Sequence, residues 1–266
     1  MSIHKTAIIS DSAKLGTGIT IGPYVVIEDN VEIGDNVKIG PSAVILPFTA
    51  IGKGTSIHAH AVIGDIPQDG AFKNIVSRTK IGENCIIREG VTIHRGTNEE
   101  SVTEIGDGCF LMNNSHCAHN VKLGNNVILA NGALLAGYVE VGDRAFISGN
   151  SVVHQFVRIG KVAMLSGLTA ISQDVPPFCT TKGVHPNTIL GLNVVGMRRA
   201  GLDLEERTMV KRCFNILYRQ GLNTPDAVVK MKEETSGESA AEFASFVEQT
   251  KRGVCCLGLN ADRHKE

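Results

Sequence analysis

Every sixth residue of this chain is aliphatic. Stepping by six from Ile3 to Ile171, 26 of 29 positions are Ile, Leu or Val, with Asp69, Glu99 and Cys117 the exceptions. Those three residue types make up 68 of 266 residues, so chance would fill about seven of the positions. A period of six fits neither the 3.6-residue helix nor a simple alternating strand. It fits a short strand followed by a corner, three times per turn, with each aliphatic pointing into a prism. Eighteen residues then make one coil, and Ile3–Ile171 predicts about nine or ten coils of parallel β-helix, stacked at the strand spacing of roughly 4.8 Å.

The composition suits such a winding: 29 Gly, no Trp and 5% aromatics. Gly often follows the aliphatic, as at Gly16, Gly34, Gly52, Gly124 and Gly160. These corner glycines are expected to supply positive φ, with Asn36 and Asn126 tolerating the same region. Lys plus Arg number 26 against 27 for Asp plus Glu, which argues against general nucleic-acid binding. The longest near-apolar stretches, Ala43–Gly52 and Val127–Val139, fall short of the roughly 18 residues of a membrane span. No apolar signal region follows Met1-Ser2-Ile3-His4-Lys5, and the seven cysteines contain no CxxC, so a reducing cytoplasm is expected.

The frame is interrupted at about 64–80 and 94–104, which predicts two insertion loops. It ends near Asp174-Val175-Pro176-Pro177, and from about Asp203 the apolar spacing turns helical through Met209, Val210, Phe214 and Leu217. A mainly β architecture follows, with a β-helix over 1–190 and a small C-terminal helical domain over 191–266. Within the latter, Thr224-Pro225 reads as an N-cap with Pro at the first helical position, and Ser239 with Glu242 as a capping box.

Chemistry is sought where the frame is disturbed. Cys117 is the one failed core position without a nearby insertion, and it lies between His116 and His119. One coil beyond His119 is Gly137, and one further is Gln155, while Ala118 and Ala136 lead to His154. His119, Gly137 and His154-Gln155 therefore line one edge over two coils, about 10 Å. A neutral imidazole there can act as a general base, and the Gly137 N–H can polarise a carbonyl. Surface histidines on a loop are the plain alternative. Zinc is a rival, since some hexapeptide proteins resemble γ-class carbonic anhydrases and His94, His116, His119 and His154 supply enough ligands. The His116–His119 spacing is narrower than in that family, and no metal is expected. A non-catalytic β-helix scaffold is the third alternative, against which the two insertions and the histidine-rich coil speak.

Ile93-His94-Arg95-Gly96-Thr97, Ala118-His119, Leu135-Ala136-Gly137, Val153-His154-Gln155-Phe156 and Gln173-Asp174-Val175-Pro176-Pro177 together resemble the acyl-carrier-protein-dependent UDP-N-acetylglucosamine O-acyltransferases of lipid A biosynthesis. The resemblance spans the whole chain. It implies a left-handed parallel β-helix, a homotrimer with clefts between subunits, and no cofactor. The implied reaction moves a 3-hydroxyacyl chain from an acyl carrier protein thioester to position 3 of UDP-N-acetylglucosamine, the first step of that pathway. Carried over by motif, His119 is the base and Gly137 the carbonyl donor. His116, His154, Gln155, Asp69 and Lys73 contact substrate, and Asn193 with Arg199 faces the nucleotide. Arg198 is among the basic residues expected to dock the acidic carrier. Gly149 and Gly167, stacked in one column below and above the His154 region, set acyl length, with Gly167 leaving the slot open.

Four positions depart from that pattern, and the first and last of them bear on the acceptor. Asn120 stands where an Asp commonly follows the base, Tyr138 where a His follows Leu-Ala-Gly, and Ala200 where a second basic residue follows Arg199. Gly70-Ala71 replaces Leu-Lys, with Phe72-Lys73 offering a displaced lysine. A sub-group of the family with a similar loop acylates a 3-amino sugar, so an amine acceptor is the alternative.

Overall fold

A computed structural model describes residues 1–258. Three sheets of 12, 9 and 8 strands wind about a common axis, parallel throughout their coils, with most strands only two residues long. Successive coils pair at the predicted interval: Ile3 lies over Ile21, Ile21 over Ile39 and Ile39 over Ile57. Ile57 then pairs with Ile87 and Ile87 with Leu111, so the insertions lengthen their coils by twelve and six residues. Both are multiples of the repeat, which is why the aliphatic frame survives them.

The in-frame aliphatics from Ile21 to Ile171 are buried except Ile75 in the first insertion, and Cys117 takes its place among them with no exposed surface. A second inward set mixes small and medium residues, including Val37, Ala43, Cys85, Cys109, Val127 and Ala163. The prism interior is filled by these two sets, leaving no room for an indole. Each buried Ile contributes roughly 1.5–3 kcal/mol relative to exposure.

The corner glycines serve a different purpose from the one expected. Gly16, Gly34 and Gly160 do not have positive φ; that conformation falls two residues later, at Asn36, Asn126, Tyr24, Arg144 and others. What excludes a side chain after the aliphatic is the neighbouring coil. A Cβ on Gly16 would lie 2.7 Å from the amide nitrogen of Asp35, and one on Gly34 2.7 Å from that of Lys53. Adjacent corners approach too closely for a methyl group.

Beyond Ile171, strand Cys179–Thr181 pairs antiparallel with Thr188–Leu192, and Cys256–Leu257 joins the latter. Four helices follow: α1 (Val194–Arg199), α2 (Leu204–Arg219), α3 (Thr224–Glu234) and α4 (Glu238–Glu248). Asp203 caps α2 by accepting from Glu206 N. The cap of α3 is Asn223 rather than Thr224, which becomes the first helical residue. The expected capping box is not formed, because tertiary partners claim both side chains. Ser239 donates to Glu206 Oε1 at 3.0 Å, Glu242 faces Lys161 at 3.4 Å, and Gly237 starts α4. The helices dock through Asp174, 1% exposed, which accepts from Arg158 N and from Thr250 Oγ1. Arg158 also stacks over Phe246 at 4.2 Å. The helical domain expected over 191–266 includes residues 259–266, which lie outside the described residues.

Candidate active site

The two insertions and the disturbed coil share one edge of the prism. The first insertion leaves strand Val62–Asp65 of the nine-stranded sheet and enters Arg78–Ile81 of the eight-stranded sheet. The second lies between Thr92–His94 and Val102–Ile105 of the same two sheets, and His119, Gly137 and Gln155 occupy the next three corners. Tyr138 N donates to His119 O and Phe156 N to Gly137 O, each at 3.0 Å, which keeps those corners in file. Asp69, Lys73, His119, Gly137, His154 and Gln155 are thereby brought to one edge.

His119 is half-buried and its ring lies against Gly137. A Cβ there would stand 2.5 Å from Nε2 and 3.0 Å from Nδ1, so only glycine permits this approach. The Gly137 N–H makes no backbone hydrogen bond among the described residues. Pro23 and Pro41 fill the equivalent corner positions after Ile21 and Ile39. An N–H that proline can replace is one the coil does not need, so at Gly137 it is open to an incoming acceptor. Nδ1 of His119 lies 3.1 Å from Oδ1 of Asn120. The imidazole ring and the corner that carries the free N–H are therefore in contact.

His116 points outward from the nine-stranded sheet, with Nδ1 2.7 Å from Thr92 Oγ1. Burial, reinforced by nearby His94, pushes its pKa down to about 4. His94 stands edge-on to it at 4.9 Å and is likewise held below the usual imidazole range by burial. Both are neutral near pH 7, so neither adds positive charge beside His119. Arg95, 6% exposed, reaches over the Phe72 ring at 5.7 Å and joins the two insertions. Among the described residues, no group of three or more His, Cys, Asp or Glu is placed to hold a metal.

The remaining candidates fall in different places. His154 and Gln155 are exposed, and His154 Nδ1 lies 3.2 Å from the Gln155 carbonyl. Asp69 and Lys73 are exposed in the first insertion, where Asp69 Oδ1 accepts from Ala71 N. Asn193 caps α1: its Oδ1 accepts from Gly196 N and its Nδ2 donates to Val162 O. Arg199 is exposed in the last turn of that helix. Gly149 and Gly167 share a column as expected, but not the edge of His154. They follow strands Phe146–Ile147 and Met164–Leu165 of the 12-stranded sheet, a corner earlier in each coil. A Cβ on Gly167 would meet only Gly149 O, at 3.6 Å, so that column is open.

Thr97, Asn98 and Phe156 lie at this site without a role assigned to them in the sequence. Thr97 and Asn98 of the second insertion reach Tyr138, which stacks on Phe156 at 4.9 Å and 16°. The eighteen-residue step does place Asn120, Tyr138 and Phe156 in one column; the loop contacts have no such periodic signal. Beside them opens a cleft of about 1070 Å³, whose lining includes Asn120, Tyr138, Phe156, Lys122, Arg158 and Arg252.

Residues 103–137 match the bacterial transferase hexapeptide model, and residues 174–255 match domain 2 of UDP N-acetylglucosamine O-acyltransferase. An acyl-(acyl carrier protein)–UDP-N-acetylglucosamine O-acyltransferase of Sulfurihydrogenibium sp. is 53% identical over 96% of this chain and 94% of its own length. Its namesake from Trichlorobacter lovleyi is 47% identical over 96% and 99%. The structure of the UDP-N-acetylglucosamine acyltransferase from Campylobacter jejuni superposes with a TM-score of 0.90, at 40% identity, covering 96% of this chain and 99% of that one. With identity of this order along nearly its whole length, the chain belongs to the family of acyl-(acyl carrier protein)–UDP-N-acetylglucosamine O-acyltransferases.

Proposed function

We propose that the protein transfers a 3-hydroxyacyl group from an acyl carrier protein thioester to the 3-hydroxyl of UDP-N-acetylglucosamine, opening lipid A biosynthesis. The carrying observation is the packing of the His119 ring against Gly137, whose corner N–H has no backbone partner. Nε2 takes the sugar hydroxyl proton as its oxygen attacks the thioester carbonyl. The resulting oxyanion accepts from Gly137 N–H. As the C–S bond breaks, the imidazolium returns the proton to the departing thiolate, and the products are the sugar ester and free carrier thiol. The thioester is already activated, so the scheme needs no cofactor.

In this reading Asp69, Lys73, His116, His154 and Gln155 border the sugar and acyl carbonyl, and Asn193 and Arg199 approach the nucleotide. A homotrimer completes the site, because Gly149 and Gly167 occupy a different edge from His119 within one chain. The outward column of the nine-stranded sheet supports assembly: Ile8, Val26, Val44, Val62, Leu134 and Val152 are apolar, and Ile8 is 67% exposed. No helix of the described residues is long and apolar enough to cross a membrane, in keeping with a cytoplasmic enzyme fed by a soluble carrier.

A second reading, acylation of a 3-amino UDP-sugar, draws on the amide partner of His119. An amine attacks as a free base and gains less than a hydroxyl from a strengthened imidazole. Acyl-transfer assays with 3-hydroxyacyl carrier thioesters and both acceptors test the two readings. Transfer to the hydroxyl sugar is expected; transfer to the amine alone moves the assignment, and transfer to neither overturns both.

A further inference from the structure

We propose that the second insertion sets the tautomer of His119, through a chain of neutral hydrogen bonds in which Thr97 and Tyr138 are positioning residues. The proposal rests on the reading of His119 as the base. The direction of every bond in the chain follows from donor and acceptor capacity. Thr97 N donates to Asn120 at 3.0 Å, so the atom it meets is the amide oxygen, which fixes the orientation of that side chain. Thr97 Oγ1 lies 2.9 Å from the same Oδ1 and must spend its one hydrogen there. The hydroxyl of Tyr138, 2.8 Å from Thr97 Oγ1, must then donate to it. Having given its hydrogen, Tyr138 accepts from Asn98 Nδ2 at 3.0 Å.

The end of the chain is His119 Nδ1, 3.1 Å from the same amide oxygen. That oxygen has no hydrogen to give, so Nδ1 carries the proton and Nε2 the lone pair. The alternative tautomer would set two lone pairs against each other. Asn120 is 8% exposed, and its backbone N donates to Thr103 Oγ1 at 2.7 Å, so the acceptor is held from both sides of the insertion. Tyr138 is held in turn, stacked on Phe156 and edge-on to His119 at 5.3 Å. No member of the chain is charged. The insertion thus orients the base without a carboxylate.

Histidine-selective ¹⁵N spectra of the full-length protein read the tautomer directly, with the His119 signals assigned by their loss in His119→Ala. Four further variants probe the chain. Asn120→Gly removes the acceptor while tolerating the positive φ at that position (59°). Thr97→Val and Tyr138→Phe delete hydroxyls, and Thr97→Ser restores one. The native spectrum is expected to show Nδ1–H, and Asn120→Gly to mix the two tautomers and lower kcat about five- to tenfold with KM little changed. Thr97→Val should show a smaller change of the same kind, which Thr97→Ser reverses. A native Nε2–H signature, or an unchanged tautomer and kcat in both Asn120→Gly and Thr97→Val, would overturn the proposal. Retained activity in His119→Ala would instead sink the base assignment, and the spectra would still decide whether the insertion sets the tautomer.

Discussion

Two edges of the same prism carry opposite contents. Along the edge between the nine- and eight-stranded sheets lie both insertions, His119 against Gly137, and the stacked column Asn120–Tyr138–Phe156. Along the edge between the 12- and nine-stranded sheets, Gly149 and Gly167 leave open backbone. The interior ladder behind both is the same run of buried aliphatics. The repeat therefore fixes where side chains point, and the corners alone decide whether an edge offers chemistry or room.

The largest way to break this contrast is His119→Ala, expected to lower kcat by about 10²–10⁴-fold with the fold unchanged by circular dichroism. A loss below tenfold would move the chemistry to another group. The same substitution made on both edges sharpens the comparison. Gly137→Ala drives a methyl into the His119 ring and should cost about 10²-fold in kcat, whereas Gly167→Ala should be close to silent. Gly167→Met should close the open column and shift donor preference toward short chains. At about 0.8 kcal/mol for each of roughly four displaced methylenes, the shift is near a hundredfold. Paired assays with long and short thioesters measure it, and an unchanged preference would place the chain elsewhere.

Smaller effects test what flanks the polar edge. His116 binds its proton less tightly folded than unfolded, where an imidazole titrates near 6.5. The unfolded chain therefore takes up more protons, and stability falls as pH drops from about 6.5 toward 4. His116→Asn should flatten that slope in acid-unfolding curves. The least effect is expected on the eight-stranded face, where the exposed Lys80–Glu104 pair stands at 3.1 Å. Lys80→Ala should change unfolding free energy by less than about 1 kcal/mol in urea titrations.

Much of this architecture was legible because it is periodic. The aliphatic frame locates the coils, and the eighteen-residue step places Gly137 and Gln155 above His119. Local patterns mislead where the cause lies in another coil or domain. The corner glycines look like sites of unusual φ until Asp35 and Lys53 show that the constraint is space. Ser239 and Glu242 have the spacing of a capping box, but Glu206 and Lys161 compete for them. Gly149 and Gly167 count correctly as a column, yet their phase within the coil puts them a corner away from His154. Thr97 sits in an insertion that leaves the regular coil, so no counting rule connects it to Tyr138.

The regular stacking of coils has a metrical consequence. Along any edge, equivalent positions recur only at whole multiples of about 4.8 Å, close to the length of four methylenes in an extended chain. An edge of this kind is graduated like a vernier with one coarse division. For an acyl chain proposed to lie along such an edge, moving a blocking side chain up or down the column is expected to change the accepted length in steps of about four carbons, with finer discrimination set by side-chain size at a single division.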